Sequence, residues 1–184
     1  MGIFKLSPIF LTKKISNKMF ILNLKRVENI LFYIEEKGCI FLGFTLFILS
    51  IIMVISRYLF SSPITGGDEL ANWLFVWFSF FGISNLVGKN EHASVDFFLN
   101  SLSSKSRFYI QIINKIVILC MLFIILYKGM PFAIRMMTIY WGNLPIPKGC
   151  ATFAIPTTVF FMIVHILISI VFLFKERGKY LKNK

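Results

Sequence analysis

Four stretches of this chain are too long and too apolar to be stable as water-exposed helices. Cys39 to Phe60 and Ala151 to Phe174 are apolar along nearly their whole length. Leu70 to Val87 is interrupted by Asn72, Ser79, Ser84 and Asn85, and Phe108 to Met130 by Gln111, Asn114, Lys115 and Lys128. A helix rising ~1.5 Å per residue covers ~33 Å in about 22 residues, enough for a hydrocarbon core of ~30 Å. The balance of the chain agrees. Of its 184 residues 57% are hydrophobic, against ~45–50% in soluble domains, and the mean hydropathy is +0.77. The pattern predicts an all-α integral membrane protein with four transmembrane helices, at about 39–60, 69–88, 108–130 and 151–174. These form one membrane domain, 39–174, between a basic arm, 1–38, and a basic tail, 175–184.

Charge placement predicts the orientation. The arm carries seven Lys/Arg, the segment Lys89 to Arg107 three, and the tail five, whereas Ser61 to Asp68 carries none and Pro131 to Cys150 two. Alternate segments thus hold fifteen against two, which by the positive-inside rule puts both termini and the middle loop in the cytoplasm. The net charge of +12 is then explained by anionic lipid, and no nucleic-acid partner is expected. The arm lacks a compact apolar core with a small-residue cleavage site, so it reads as a retained segment and not a signal peptide.

Three flanking segments carry patterns of their own. In the arm, Ile21, Leu24, Val27, Leu31 and Ile34 recur at helical spacing, which predicts an amphipathic helix lying in the membrane interface. Val95, Phe98, Leu99 and Leu102 predict a second interfacial helix in the middle loop. On the outer side Pro131 is expected to break or kink the third helix, and Ile134, Met137 and Trp141 form a short apolar stripe before Leu144-Pro145-Ile146-Pro147.

The polar residues inside or beside the spans define the chemistry available. Arg57 lies one turn from the outer end of the first span, and Asp68 and Glu69 open the second, where a helix N-terminus favours carboxylates. The short turn between them predicts an ion pair of Arg57 with Asp68 or Glu69 that locks the hairpin. Lys115 and Lys128 are placed to snorkel to opposite interfaces. His165 lies in the fourth span without an evident companion, and Cys39, Cys120 and Cys150 fall at three different depths. No catalytic triad, paired carboxylates, metal-ligand spacing or phosphate-binding Gly-rich loop occurs, so the chain reads as a non-enzyme with no cofactor of its own. Trp73 and Trp77, followed by Phe81 and Gly82, offer an aromatic and small-residue face for a partner helix.

An ordered set of residues resembles a known family. Arg57-Tyr58 near the end of the first helix is followed by Asp68-Glu69-Leu70-Ala71 at the start of the second. Phe75-Val76-Trp77 stand at its centre, then Gly82, His92 and the pair Val95-Asp96, with Pro145, Pro147 and Pro156 around the entry to the fourth helix. From about residue 25 to 175 this is similar to the small membrane subunit (small permease, DctQ-like) of tripartite ATP-independent periplasmic (TRAP) transporters. The long basic arm and Asp68, where a second Glu is usual, are departures. The resemblance implies a multi-pass protein of the bacterial inner membrane that scaffolds a large permease subunit. In that family the large subunit couples transport to sodium and imports an organic anion, a C4-dicarboxylate or an acidic sugar such as sialic acid. A periplasmic substrate-binding protein delivers the anion, and Ile134, Met137 and Trp141 are candidate contacts for it. The alternative is a self-sufficient four-helix exporter, which would need a carboxylate deep in a span.

Overall fold

The computed structural model describes the backbone of residues 8–89, 104–140 and 142–182, and the side chains of 19–89, 106–140 and 142–175. The described residues form helices α1 (Pro8–Tyr58), α2 (Gly67–Lys89), α3 (Ser104–Met136), α4 (Lys148–Thr152) and α5 (Ala154–Lys182). Their only extended pairing is an isolated antiparallel bridge between Tyr140 and Pro147. Four spans are long and apolar enough to cross a membrane: Met19–Tyr58, Gly67–Lys89, Ser106–Met136 and Lys148–Lys175. The protein is therefore an all-helical, multi-pass membrane protein.

The helix limits differ from the sequence expectations in three places. First, α1 is one helix of 51 residues that passes through residues 38 and 39 without a break. At ~1.5 Å per residue it is ~76 Å long, more than twice a hydrocarbon core. The arm is thus no separate interfacial helix. Ile21, Leu24 and Leu31 of its apolar stripe are partly covered, while Val27 and Ile34 face outward. Lys25 sits with its Nζ 5.9 Å from the Phe172 ring centroid, so the arm runs beside the far end of α5.

Second, α3 does not end at Pro131 but continues to Met136. A proline here forfeits only one backbone bond close to the helix end, where termination is near in any case. Ile134 therefore belongs to α3, and Met137 to the turn that follows it. Third, the fourth span is split at Phe153 into α4 and α5. Pro156 explains the split, because its ring excludes the carbonyl four residues earlier, that of Thr152. The segment is resealed by Phe153 N–H to Gly149 O at 2.8 Å, and by Thr157 and Thr158 hydroxyls donating to Phe153 O and Ala154 O at 2.7 Å each.

Among the described residues the four long helices pack mainly in the order α1, α2, α5, α3, and α1 also touches α5 directly. α1 and α2 are antiparallel and approach through glycines. A Cβ on Gly43 would lie 3.0 Å from the Phe78 ring, one on Gly67 3.2 Å from Met53, and one on Gly38 3.6 Å from Phe81. On the other flank α5 and α3 are antiparallel and share the core of Leu122, Val159, Met162, Ile163 and Ile166. α5 is central: it carries buried Val159, Met162, Ile163, Ile166, Ile168 and Leu173, whereas no described apolar residue of α1 is buried. The two edge helices consequently turn long apolar faces outward, such as Phe41 and Phe44 on α1 and Met121 and Ile124 on α3.

Candidate functional site

At the hairpin end of the row, the turn between α1 and α2 is shaped by Gly66, whose φ of +80° lies in the left-handed region. A side chain there would also strike Leu144, 2.9 Å from the ideal Cβ position, so the turn seats directly on the α3–α4 connection. Arg57 Nη2 lies 3.5 Å from Asp68 Oδ2, with the two side chains 56% and 78% exposed. A pair this open contributes under ~1 kcal/mol.

Glu69 does not join Arg57. Its carboxylate accepts from the Asn143 backbone N–H at 3.3 Å and from Asn143 Nδ2 at 3.4 Å. The acidic start of α2 therefore fastens two connections. Asp68 reaches back to α1, and Glu69 reaches across to the segment before α4. The sequence did not separate these roles because both carboxylates lie in one helical turn.

The aromatic face of α2 is engaged within the chain. Trp77 Nε1 donates to Cys150 O at 2.9 Å, which ties α2 to α4. The Trp77 and Phe81 rings are 5.7 Å apart, and Phe81 stacks at 6.5 Å on Phe161 of α5. Gly82 faces Cys39 of α1, whose Sγ would be 3.8 Å from a Cβ there. Trp73 is half-buried, with its indole nitrogen enclosed. Trp77, Phe81 and Gly82, read from the sequence as a partner face, thus also pack within the chain. Exposed apolar residues remain on all four long helices and are densest on α1 and α3.

Of the outer stripe, Ile134 and Met137 are both exposed, with the Met137 sulfur lying over Gly149. Trp141, the second interfacial helix, His92, Val95 and Asp96 lie outside the described residues. Lys115 does not snorkel; its ammonium donates to Ser169 Oγ at 2.7 Å, a charged bond between α3 and α5. Lys128 lies 5.2 Å from the Tyr127 ring centroid. The three cysteines are free thiols.

His165 does have a companion. Its Nε2 is 3.4 Å from Glu35 Oε2, both side chains being fully enclosed. The other oxygen, Oε1, accepts from Ser84 Oγ at 2.6 Å. The Phe32 ring covers the imidazole at 4.7 Å, and Gly88 leaves the space that both rings fill. The cluster thus joins α1, α2 and α5 at one level. Sequence reasoning missed Glu35 because the arm was read by its apolar residues. The available signal was its register: Glu28 and Glu35 lie on the same face as Ile21, Leu24 and Leu31, where a solvated acid would not stand. Among the described residues no group of three or more His, Cys, Asp or Glu side chains is placed to hold a metal.

Comparison with known proteins agrees with this architecture. Residues 46–176 match the family model described as tripartite ATP-independent periplasmic transporters, DctQ component. The chain is 35% identical over 92 residues to the sialic acid TRAP transporter permease protein SiaT of Haemophilus influenzae strain 86-028NP. That match covers 48% of this chain and 15% of SiaT. It is 28% identical over 88 residues to a TRAP transporter small permease protein of Haemophilus influenzae strain Rd, covering 48% of this chain and 55% of that protein. The chain therefore spans about half or less of the length of these relatives. The family match takes in all of α2, α3 and α4, the outer part of α1 and most of α5, the same helices that build the row. The chain belongs to the DctQ family, the small permease components of TRAP transporters.

Proposed function

We propose that this chain scaffolds a large, ion-coupled permease subunit in the bacterial inner membrane and has no transport pathway of its own. The observation that carries the reading is the packing order of the helices. α1 and α3, at the two ends of that order, leave apolar edges broad enough to extend the membrane footprint of a partner. In lipid such edges gain from close packing against another protein rather than from hydrophobic burial. By the charge bias, the arm, the tail and the clasp-like cluster at Glu35 lie toward the cytoplasm, and the Gly66 turn with the α3–α4 connection faces the periplasm.

The cargo of the assembly is an organic anion. The name of the sialic acid relative supports an acidic sugar, and a C4-dicarboxylate remains within the same chemistry. A periplasmic binding protein delivers it, meeting the outer surface near Ile134 and the Asn143 connection, and sodium drives the large subunit. The exporter reading needs a carboxylate deep in a span. Glu35 is one, within Met19–Tyr58, but it is fully enclosed, accepts from Ser84 and lies beside His165, while Asp68 and Glu69 sit at the hairpin. The test is affinity purification from native membranes with a tag after Lys184. Recovery of a many-span permease in equal amount is expected; recovery of this chain only as a self-associated species would overturn the proposal.

A further inference from the structure

We infer that Glu35, Ser84 and His165 form a polar clasp that fixes the rotation of α1 about its own axis, and so decides which apolar face of α1 is turned outward. The need for such a device follows from the solvent. In lipid, inward and outward apolar faces have nearly equal solvation, so hydrophobicity does not orient an edge helix. α1 is apolar nearly all round in its span, with Phe41, Phe44 and Phe47 outward and Leu42, Leu46 and Leu49 inward. The glycine contacts with Phe78 and Phe81 set how closely α1 approaches α2. Turning the helix would bring a side chain into the place of Gly43 against the Phe78 ring, a steric cost that flexible apolar side chains can partly ease by shifting.

The clasp does not ease in this way. Turning α1 by one residue, ~100°, carries the Glu35 carboxylate out of the row and toward lipid. It also strips Ser84 of its acceptor and leaves His165, 1% exposed, without its only acidic contact on α1 at hydrogen-bonding or ion-pair range. Separating Glu35 from His165 leaves two buried polar groups without each other in an enclosed site. Glu28 lies two turns earlier on α1 and Cys39 one turn later. Phe32 from α1 and Gly88 from α2 pack against the imidazole. A buried polar contact that specifies register among otherwise interchangeable apolar packings is a recognised use of such groups.

The consequence for the large permease rests on the proposed function; the clasp itself does not. Both are tested on the full-length chain in native-lipid nanodiscs, with its cysteines replaced by serine and spin labels at Phe44 on α1 and Ile124 on α3. The parent is expected to give one distance peak. Glu35→Gln, which is nearly isosteric and keeps an acceptor for Ser84, and His165→Gln are each expected to give more than one peak. The exchange Glu35→His with His165→Glu is expected to restore the parent peak. Retention of a single unchanged peak in both Gln variants, or multiple peaks that the exchange fails to restore, overturns the clasp. Co-purification of the large subunit is read in parallel. If the distances behave as stated and no permease is recovered with the parent, the clasp stands and the scaffold reading fails.

Discussion

Gly88 carries more constraint than its size suggests. A Cβ there would lie 2.7 Å from Phe32 and 2.8 Å from His165 Nδ1, and His165 cannot yield without leaving Glu35. Gly88→Ala is therefore expected to cost ~1–3 kcal/mol, seen as a lower apparent melting temperature in detergent. Gly129→Ala is the control, because its nearest neighbour would be Ile155 at an ordinary 3.7 Å, and no comparable loss is expected. Equal melting of the two variants would remove the tight contact from the account. At this scale the sequence was half legible. His165 stands out as an ionisable residue within a span, but its partner lies at the other end of the chain. Depth alone does not say which helix faces it. Lys115 is the same case: its snorkelling was plausible by position, and only the α3–α5 packing reveals Ser169 as acceptor.

The elements were legible where hydropathy alone decides, and not where backbone chemistry does. The apolar runs identified all four spans. The continuity of α1 was hidden because the arm is polar on one side, which fits an interfacial helix and a long packed helix equally. The break at Phe153 and the persistence of α3 past Pro131 show that the same residue type ends one helix and is carried through another near its end. The hairpin supplies the prediction at this scale. The turn is docked by Gly66 against Leu144 and by Glu69 on Asn143, whereas Arg57–Asp68 is exposed. Glu69→Gln and Gly66→Ala are expected to speed amide exchange across residues 137–147. Arg57→Ala, losing a contact worth under ~1 kcal/mol, is expected to leave that exchange nearly unchanged. The opposite ranking would mean that the ion pair, as the sequence first suggests, is the true lock.

At the scale of the molecule, spans in a sequence do not reveal their neighbours. In lipid every face of an apolar helix looks alike, so the sequence alone does not show that Trp77 and Phe81 of α2 also bind α4 and α5. The apolar edges of α1 and α3 make sense as part of something larger. The most direct measurement is photo-crosslinking in intact native membranes, with a crosslinkable residue placed singly at Phe44, at Ile124 and, as an inward control, at Met162. The account predicts adducts with a many-span permease from at least one edge position and none from Met162, which is 4% exposed. Adducts from both edges with lipid or with a second copy of this chain alone would contradict it.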